Sequence, residues 1–66
     1  MAIHKVIEVS AESPESYEDA VRKAVKDVSR TVKNVRSVYV KESLAEVEDG
    51  DVTQFRVICK ITFEVQ

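Results

Sequence analysis

The sequence predicts an α+β chain of order β-α-β-β. Three observations carry that reading. The cleanest alternation of apolar and polar residues runs from Val52 to Val65, and one stretch has clear helical periodicity. An Asp-Gly dipeptide stands between two long extended segments.

The opening segment, Ile3 to Val9, reads as a strand with Ile3, Lys5, Ile7 and Val9 on one face and His4, Val6 and Glu8 on the other. Ser10 to Ser13 is polar and leads to Pro14. Ser13 is the expected helix N-cap and Pro14 the expected first helical residue, where a missing N–H costs nothing. Glu15, Glu18 and Asp19 then place negative charge near the positive end of the helix dipole. Tyr17, Ala20, Val21, Ala24, Val25, Val28 and Val32 recur at helical spacing, with Arg22, Lys23, Lys26, Asp27, Arg30 and Lys33 on the outer face. The expected helix is Pro14 to Lys33, ending at Asn34, which tolerates the left-handed conformation.

Two long extended segments follow. Val35 to Glu48 is valine-rich with polar interruptions. Val52 to Val65 places Phe55, Val57, Cys59, Ile61, Phe63 and Val65 on one face, and Gln54, Arg56, Ile58, Lys60, Thr62 and Glu64 on the other. Glu48-Asp49-Gly50-Asp51 between them is a hairpin signal.

Size makes self-association the expected source of stability. The 66 residues are read as one domain, 1–66, with one small core. A chain this short buries only about 60% of the surface its unfolded form exposes. The single cysteine, Cys59, rules out an internal disulfide, and together with the single histidine, His4, it cannot complete a Cys/His zinc site. Geometry points the same way. A helix of about 20 residues is about 30 Å long, whereas a strand of about 14 residues extends about 46 Å. One helix leaves much of such a hairpin's apolar face uncovered, and a neighbouring copy is the expected cover.

Ten basic and twelve acidic residues are spread along the chain, against a nucleic-acid footprint. No apolar run approaches a membrane span, the first ten residues alternate rather than form a leader's apolar segment, and one thiol fits a reducing compartment. The expected location is the cytoplasm.

With the elements in place, the chain resembles the dodecin family. The resemblance is carried by Lys5-Val6-Ile7-Glu8-Val9 before a serine-containing turn, by Tyr17-Glu18-Asp19-Ala20-Val21 and by Thr31-Val32-Lys33-Asn34-Val35. The terminal strand Phe55-Arg56-Val57-Ile58-Cys59-Lys60-Ile61-Thr62-Phe63 completes it. The resemblance implies a three-stranded antiparallel sheet partly wrapping the helix, in a hollow homo-dodecamer of cubic symmetry. It also implies a flavin storage or sequestration protein rather than an enzyme. In typical members a tryptophan at the start of the second strand stacks on the flavin, and a glutamine on the third strand bonds its polar edge. Here Ser37 falls at the tryptophan position and Arg56 at the glutamine position, and the chain has no tryptophan. Loss of an aromatic stack removes about 0.5–1.5 kcal/mol beyond burial, so any flavin (FMN, riboflavin or FAD) is expected to be weakly held or lost.

Arg56 is a permanent cation with a planar donor fork. A salt bridge to Glu42, Glu46 or Glu64 of another subunit is expected ahead of an anion site. Tyr39 shares a face with Ser37 and is the one aromatic placed to replace the lost stack. Glu46, Glu48, Asp49 and Asp51 form a candidate calcium site if copies meet on a symmetry axis, against the plainer reading of a solvated turn. Cys59 is expected in the core, His4 on a surface or interface, and Tyr17 on the helix's apolar stripe. No nucleophile–base pair, phosphate loop or ligand cluster supports catalysis. The expected function is a flavin-altered dodecin-like shell subunit. The alternative is a structural or calcium-associated dodecamer, and an enzyme with an intersubunit active site ranks last.

Overall fold

The computed structural model describes residues 2–65. Strand β1 spans Ile3–Ser13, helix α1 Tyr17–Val28, strand β2 Val35–Glu48 and strand β3 Asp51–Val65. The three strands form one antiparallel sheet of order β1-β3-β2, with α1 on one face. The β-α-β-β order and the antiparallel sheet are as the sequence predicts.

The alternation in β3 decides where the core sits. Val57, Cys59 and Ile61 point toward the helix and are fully buried against Ala20 and Ala24. Ile7, Val9 and Ala11 from β1, Val35 and Val38 from β2, and Val21, Val25 and Val28 from α1 close around them. Two alanines at the contact let the helix lie close to the sheet. Tyr17 packs edge-on against Phe55 at the start of the helix, with ring centroids 5.1 Å apart.

The helix is shorter than the sequence predicts at both ends. Ser16, not Ser13, is the N-cap: its side chain accepts a hydrogen bond from the Asp19 backbone N–H at 3.0 Å. Pro14 lies before the helix rather than at its first position. The first strand, expected to stop at Val9, continues to Ser13 because β3 offers a pairing partner all the way to Phe55. Ser13 is buried and acts as a latch between sheet and helix. Its hydroxyl donates to Asp19 Oδ2 at 2.5 Å and accepts from the Glu15 N–H at 2.9 Å. That hydrogen bond, followed by one from Lys23, holds the Asp19 carboxyl below the usual aspartate range, with partial burial opposing it.

At the other end the regular helix stops at Val28 and tightens. Arg30 and Thr31 N–H groups bond three residues back, to Asp27 and Val28, and Val32 bonds to Val28. Ser29, Thr31 and Val32 are weaker helix formers than the residues before them. Asn34 takes the left-handed conformation (φ 63°) expected of it, six residues beyond Val28. Its carbonyl accepts from the Glu64 N–H at 3.0 Å and so joins the turn to β3.

The shorter helix widens the mismatch with the sheet. Twelve residues of α1 span about 18 Å, while the molecule is 51 Å long, 20 Å wide and 13 Å thick. β1 stops pairing at Ser13–Phe55, so beyond it the pairs Glu46–Gln54, Val47–Val52 and Glu48–Asp51 project as a two-stranded ribbon. Asp49 (φ 52°) and Gly50 (φ 82°) close it, both with the positive φ of a type I′ turn.

Candidate functional site

The sheet face turned away from α1 holds the positions that the sequence singles out. It is built from the even-numbered residues of β3 and their partners. Thr62 lies between Val6 and Ser37, and Lys60 between Glu8 and Tyr39. Ile58 lies between Ser10 and Glu42, Arg56 between Glu12 and Leu44, and Gln54 beside Glu46.

Ser37 and Tyr39 are neighbours on this face, as expected, and both are exposed. Tyr39 is 64% exposed, the most open aromatic ring among the described residues. Arg56 is not with them. From the Thr62 row to Arg56 is six residues of strand, about 20 Å. Within one chain the two substituted positions lie far apart, and any pocket using both takes them from different copies.

The surroundings of Arg56 differ from those expected. Its guanidinium is engaged inside its own chain, by Glu46 on β2 at 2.9 Å and Glu12 on β1 at 3.5 Å. Among the three candidate partners, Glu46 is found, in the same chain rather than a second one. Glu64 is taken by Arg36, whose Nε donates to Oε1 at 3.0 Å. Glu12 falls past the expected end of the first strand and so is not among the expected partners. Its signal is present in the sequence: Glu8 and Glu12 continue one period-two face once that strand is extended. Two carboxylates beside one guanidinium offset its positive charge, which disfavours an anionic ligand there.

Bulges in β2 add two more cations to this face. The pairing register slips between Val35 and Ser37 and between Val40 and Glu42, leaving Arg36 and Lys41 as extra residues. The first slip breaks the simple alternation that would set Arg36 and Ser37 on opposite faces, for Arg36 reaches Glu64 beside the Ser37–Thr62 row. Lys41 reaches across β3 to Glu8 on β1 at 3.5 Å. Three clusters of charge therefore tie the edge strands to the middle strand or to each other. These groups are 28–54% exposed, so each pair contributes at most about 1 kcal/mol.

The acidic residues of the hairpin do not converge within one chain. Glu46 is drawn to Arg56, Glu48 and Asp51 face each other across the turn, and Asp49 occupies the turn itself. Among the described residues no three His, Cys, Asp or Glu side chains are grouped as a metal ion requires. Cys59 is buried in the core as expected, and burial raises its thiol pKa. His4 is exposed at the start of β1. Among the described residues no helix is long and apolar enough to cross a membrane.

Comparison with known proteins gives a single answer. The Dodecin family model matches residues 3–66. The structure of dodecin from Streptomyces coelicolor is similar with a TM-score of 0.93 and 31% identity, over 98% of this chain and 93% of that one. Dodecin from Streptomyces davaonensis has a TM-score of 0.93 at 25% identity, over 98% and 96%. A third structure is the calcium-chelating immunodominant antigen calcium dodecin of Mycobacterium tuberculosis, described with a novel calcium-binding site. It has a TM-score of 0.84 at 28% identity, over 97% and 91%. No curated protein matches the sequence.

Proposed function

Because this chain belongs to the dodecin family, we propose that it is a non-enzymatic, single-domain subunit of a cytoplasmic homo-dodecameric shell whose flavin site has been remodelled. The observation that carries this reading is the state of the two substituted positions. Ser37 has no ring to stack, and Arg56 is ion-paired with Glu12 and Glu46. Flavin-binding members are expected to use a tryptophan and a neutral glutamine there. Tyr39 is the one open aromatic on that face among the described residues, two residues from Ser37, and offers a weaker stack than an indole. The shell itself is supported by the 51 Å length of a molecule whose helix covers only about 18 Å.

The test is a fluorescence titration of riboflavin, FMN and FAD with purified protein. The expected result is a colourless preparation and little quenching in the micromolar range. The double variant Ser37→Trp with Arg56→Gln should gain quenching. Strong quenching by the parent chain would overturn the proposed loss. No gain in an assembled double variant would show that these two positions do not control flavin binding. Size-exclusion chromatography with light scattering should give a mass near twelve subunits, and a stable folded monomer would overturn the shell.

A second reading has a specific observation behind it. Glu48, Asp49 and Asp51 stand at the tip of the hairpin with no ion pair among the described residues, and one structural relative is a calcium dodecin. On this reading copies of the tip meet and share a calcium ion. Equilibrium dialysis against calcium at physiological ionic strength decides it. Saturable binding that Asp49→Asn with Asp51→Asn abolishes would favour the ion, and binding no better than that variant's would remove it.

A further inference from the structure

The chain holds four aspartates, and the groups around each decide what its carboxyl can react with. An aspartate side chain lies within reach of the backbone nitrogen of the next residue, so that residue matters most. Asp19 accepts from Ser13 and pairs with Lys23, and the N–H after it, that of Ala20, is bonded to the Ser16 carbonyl at 3.1 Å. Asp27 pairs with Arg30 and is followed by Val28 inside the helix. Asp51 opens β3 and is followed by Val52, whose branched side chain crowds its own amide nitrogen. Asp49 alone is followed by glycine.

At the tip neither reacting group is held. Asp49 and Gly50 are exposed and lie outside both strands. Among the described residues the Asp49 carboxylate has no ion-pair or hydrogen-bond partner, and the Gly50 N–H donates to nothing. The space where a Gly50 side chain would stand is empty to 4 Å. Asp49 has a φ of 52°, a left-handed conformation disfavoured for a residue with a Cβ. β1 does not reach the ribbon, and its paired Val47 and Val52 are 65% and 53% exposed. A bare two-stranded ribbon has marginal stability of its own, so its tip opens far more readily than the core.

We propose that Asp49 is a site of spontaneous backbone isomerisation, through a succinimide formed with Gly50. The Gly50 nitrogen attacks Cγ of Asp49. A C–N bond forms, the C–O bond to the carboxyl hydroxyl breaks, and that hydroxyl leaves as water with the amide proton. Water then adds to one of the two ring carbonyls, and the C–N bond at that carbonyl breaks. Addition at Cγ restores aspartate. Addition at the backbone carbonyl of Asp49 leaves the chain running through Cγ, with the former backbone carbon as a free carboxylate. One water is lost and one regained, so the isomerisation needs no other reactant, no ligand and no second copy. Glycine favours ring closure because it places no Cβ beside the attacking nitrogen. The product has one more carbon in the main chain of a two-residue turn, whose length sets the Glu48–Asp51 register. The isomerised tip keeps its net charge and loses that register.

The experiment ages the full-length protein in warm neutral buffer and digests it with trypsin, which releases residues 42–56 as one peptide. A freshly purified sample digested in parallel sets the background. Chromatography should resolve an isomer of unchanged mass that grows with time, with a trace species lighter by one water. Electron-transfer fragmentation should place the change at Asp49 and not at Asp51 of the same peptide, and Asp19 and Asp27 should stay unmodified. This mapping needs no variant to fold. An isoaspartyl carboxyl methyltransferase should transfer labelled methyl groups to the aged parent. Asp49→Glu keeps the charge and closes the corresponding larger ring far more slowly, so it should reduce that transfer to background. An aged parent with no isomer above background overturns the proposal, and the synthetic peptide 42–56 aged alongside it tells whether the folded turn is what protects Asp49. Equal isomerisation at Asp51 or Asp27 overturns it as well, because the glycine and the open tip would then confer nothing.

Discussion

Ser13 and Asp19 connect the end of the first strand to the first turn of the helix, and their hydrogen bond makes the fold sensitive to acid. The Asp19 carboxyl titrates below its ordinary value of 3.8 in the folded chain. Its contribution is therefore complete above that value and is lost as pH falls through the lower folded one. Urea unfolding at neutral pH and near pH 3 should show the parent losing more stability than Asp19→Asn, whose side chain does not titrate. Equal losses in the two chains would mean that this carboxylate is not linked to folding. Cys59 makes the opposite kind of residue-scale statement. Burial raises its thiol pKa, and the thiolate is the reactive form, so a thiol reagent should label it at the rate at which the chain opens. Labelling should be many-fold slower than in urea-unfolded protein. Cys59→Ser should cost about 1–3 kcal/mol, the penalty of placing a hydroxyl without a partner in an apolar core.

Each secondary-structure element was legible in the sequence to a different depth, for physical reasons that differ. The alternation of β3 needed only the period of a strand, so its inward residues and the core position of Cys59 were readable. The Asp49-Gly50 turn was equally open, because few residues accept the positive φ that both adopt. Gly50→Ala meets no neighbouring atom within 4 Å, so its cost is conformational alone, about 1–2 kcal/mol; thermal unfolding of assembled protein measures it. The helix start was misplaced because Ser13 and Ser16 are both good caps in isolation. The choice came from β3, which pairs with β1 as far as Ser13 and leaves Ser16 to begin the helix. Ser16→Ala should accordingly cost about 1 kcal/mol. The bulges at Arg36 and Lys41 were not readable at all. A bulge is a property of two strands, and nothing in the polar interruptions of β2 says which residue its partner will skip. The same holds for the charge clusters of the candidate site. Arg56 stood out by type, but Glu12 became its neighbour only through a strand end fixed by pairing.

At the scale of the molecule the balance of buried and open apolar groups favours assembly. Among the described residues five hydrophobic ones are buried, two of them alanines, while eight large ones are exposed: Ile3, Val6, Tyr17, Tyr39, Val40, Val47, Val52 and Val65. They are spread over the tip, both edge strands and the face carrying Ser37, so one neighbour cannot cover them all. A closed shell supplies several neighbours to every copy. In the proposed shell the folded state of so small a chain is coupled to association, and folding stability follows protein concentration by mass action. The midpoint of thermal unfolding should rise by several degrees for each tenfold increase in concentration. Loss of circular dichroism on dilution should coincide with loss of assembled mass by light scattering. A melting temperature independent of concentration, with the dichroism intact in a species of monomer mass, would mean that the small core is sufficient. The open valines and tyrosines would then be surface features unrelated to stability.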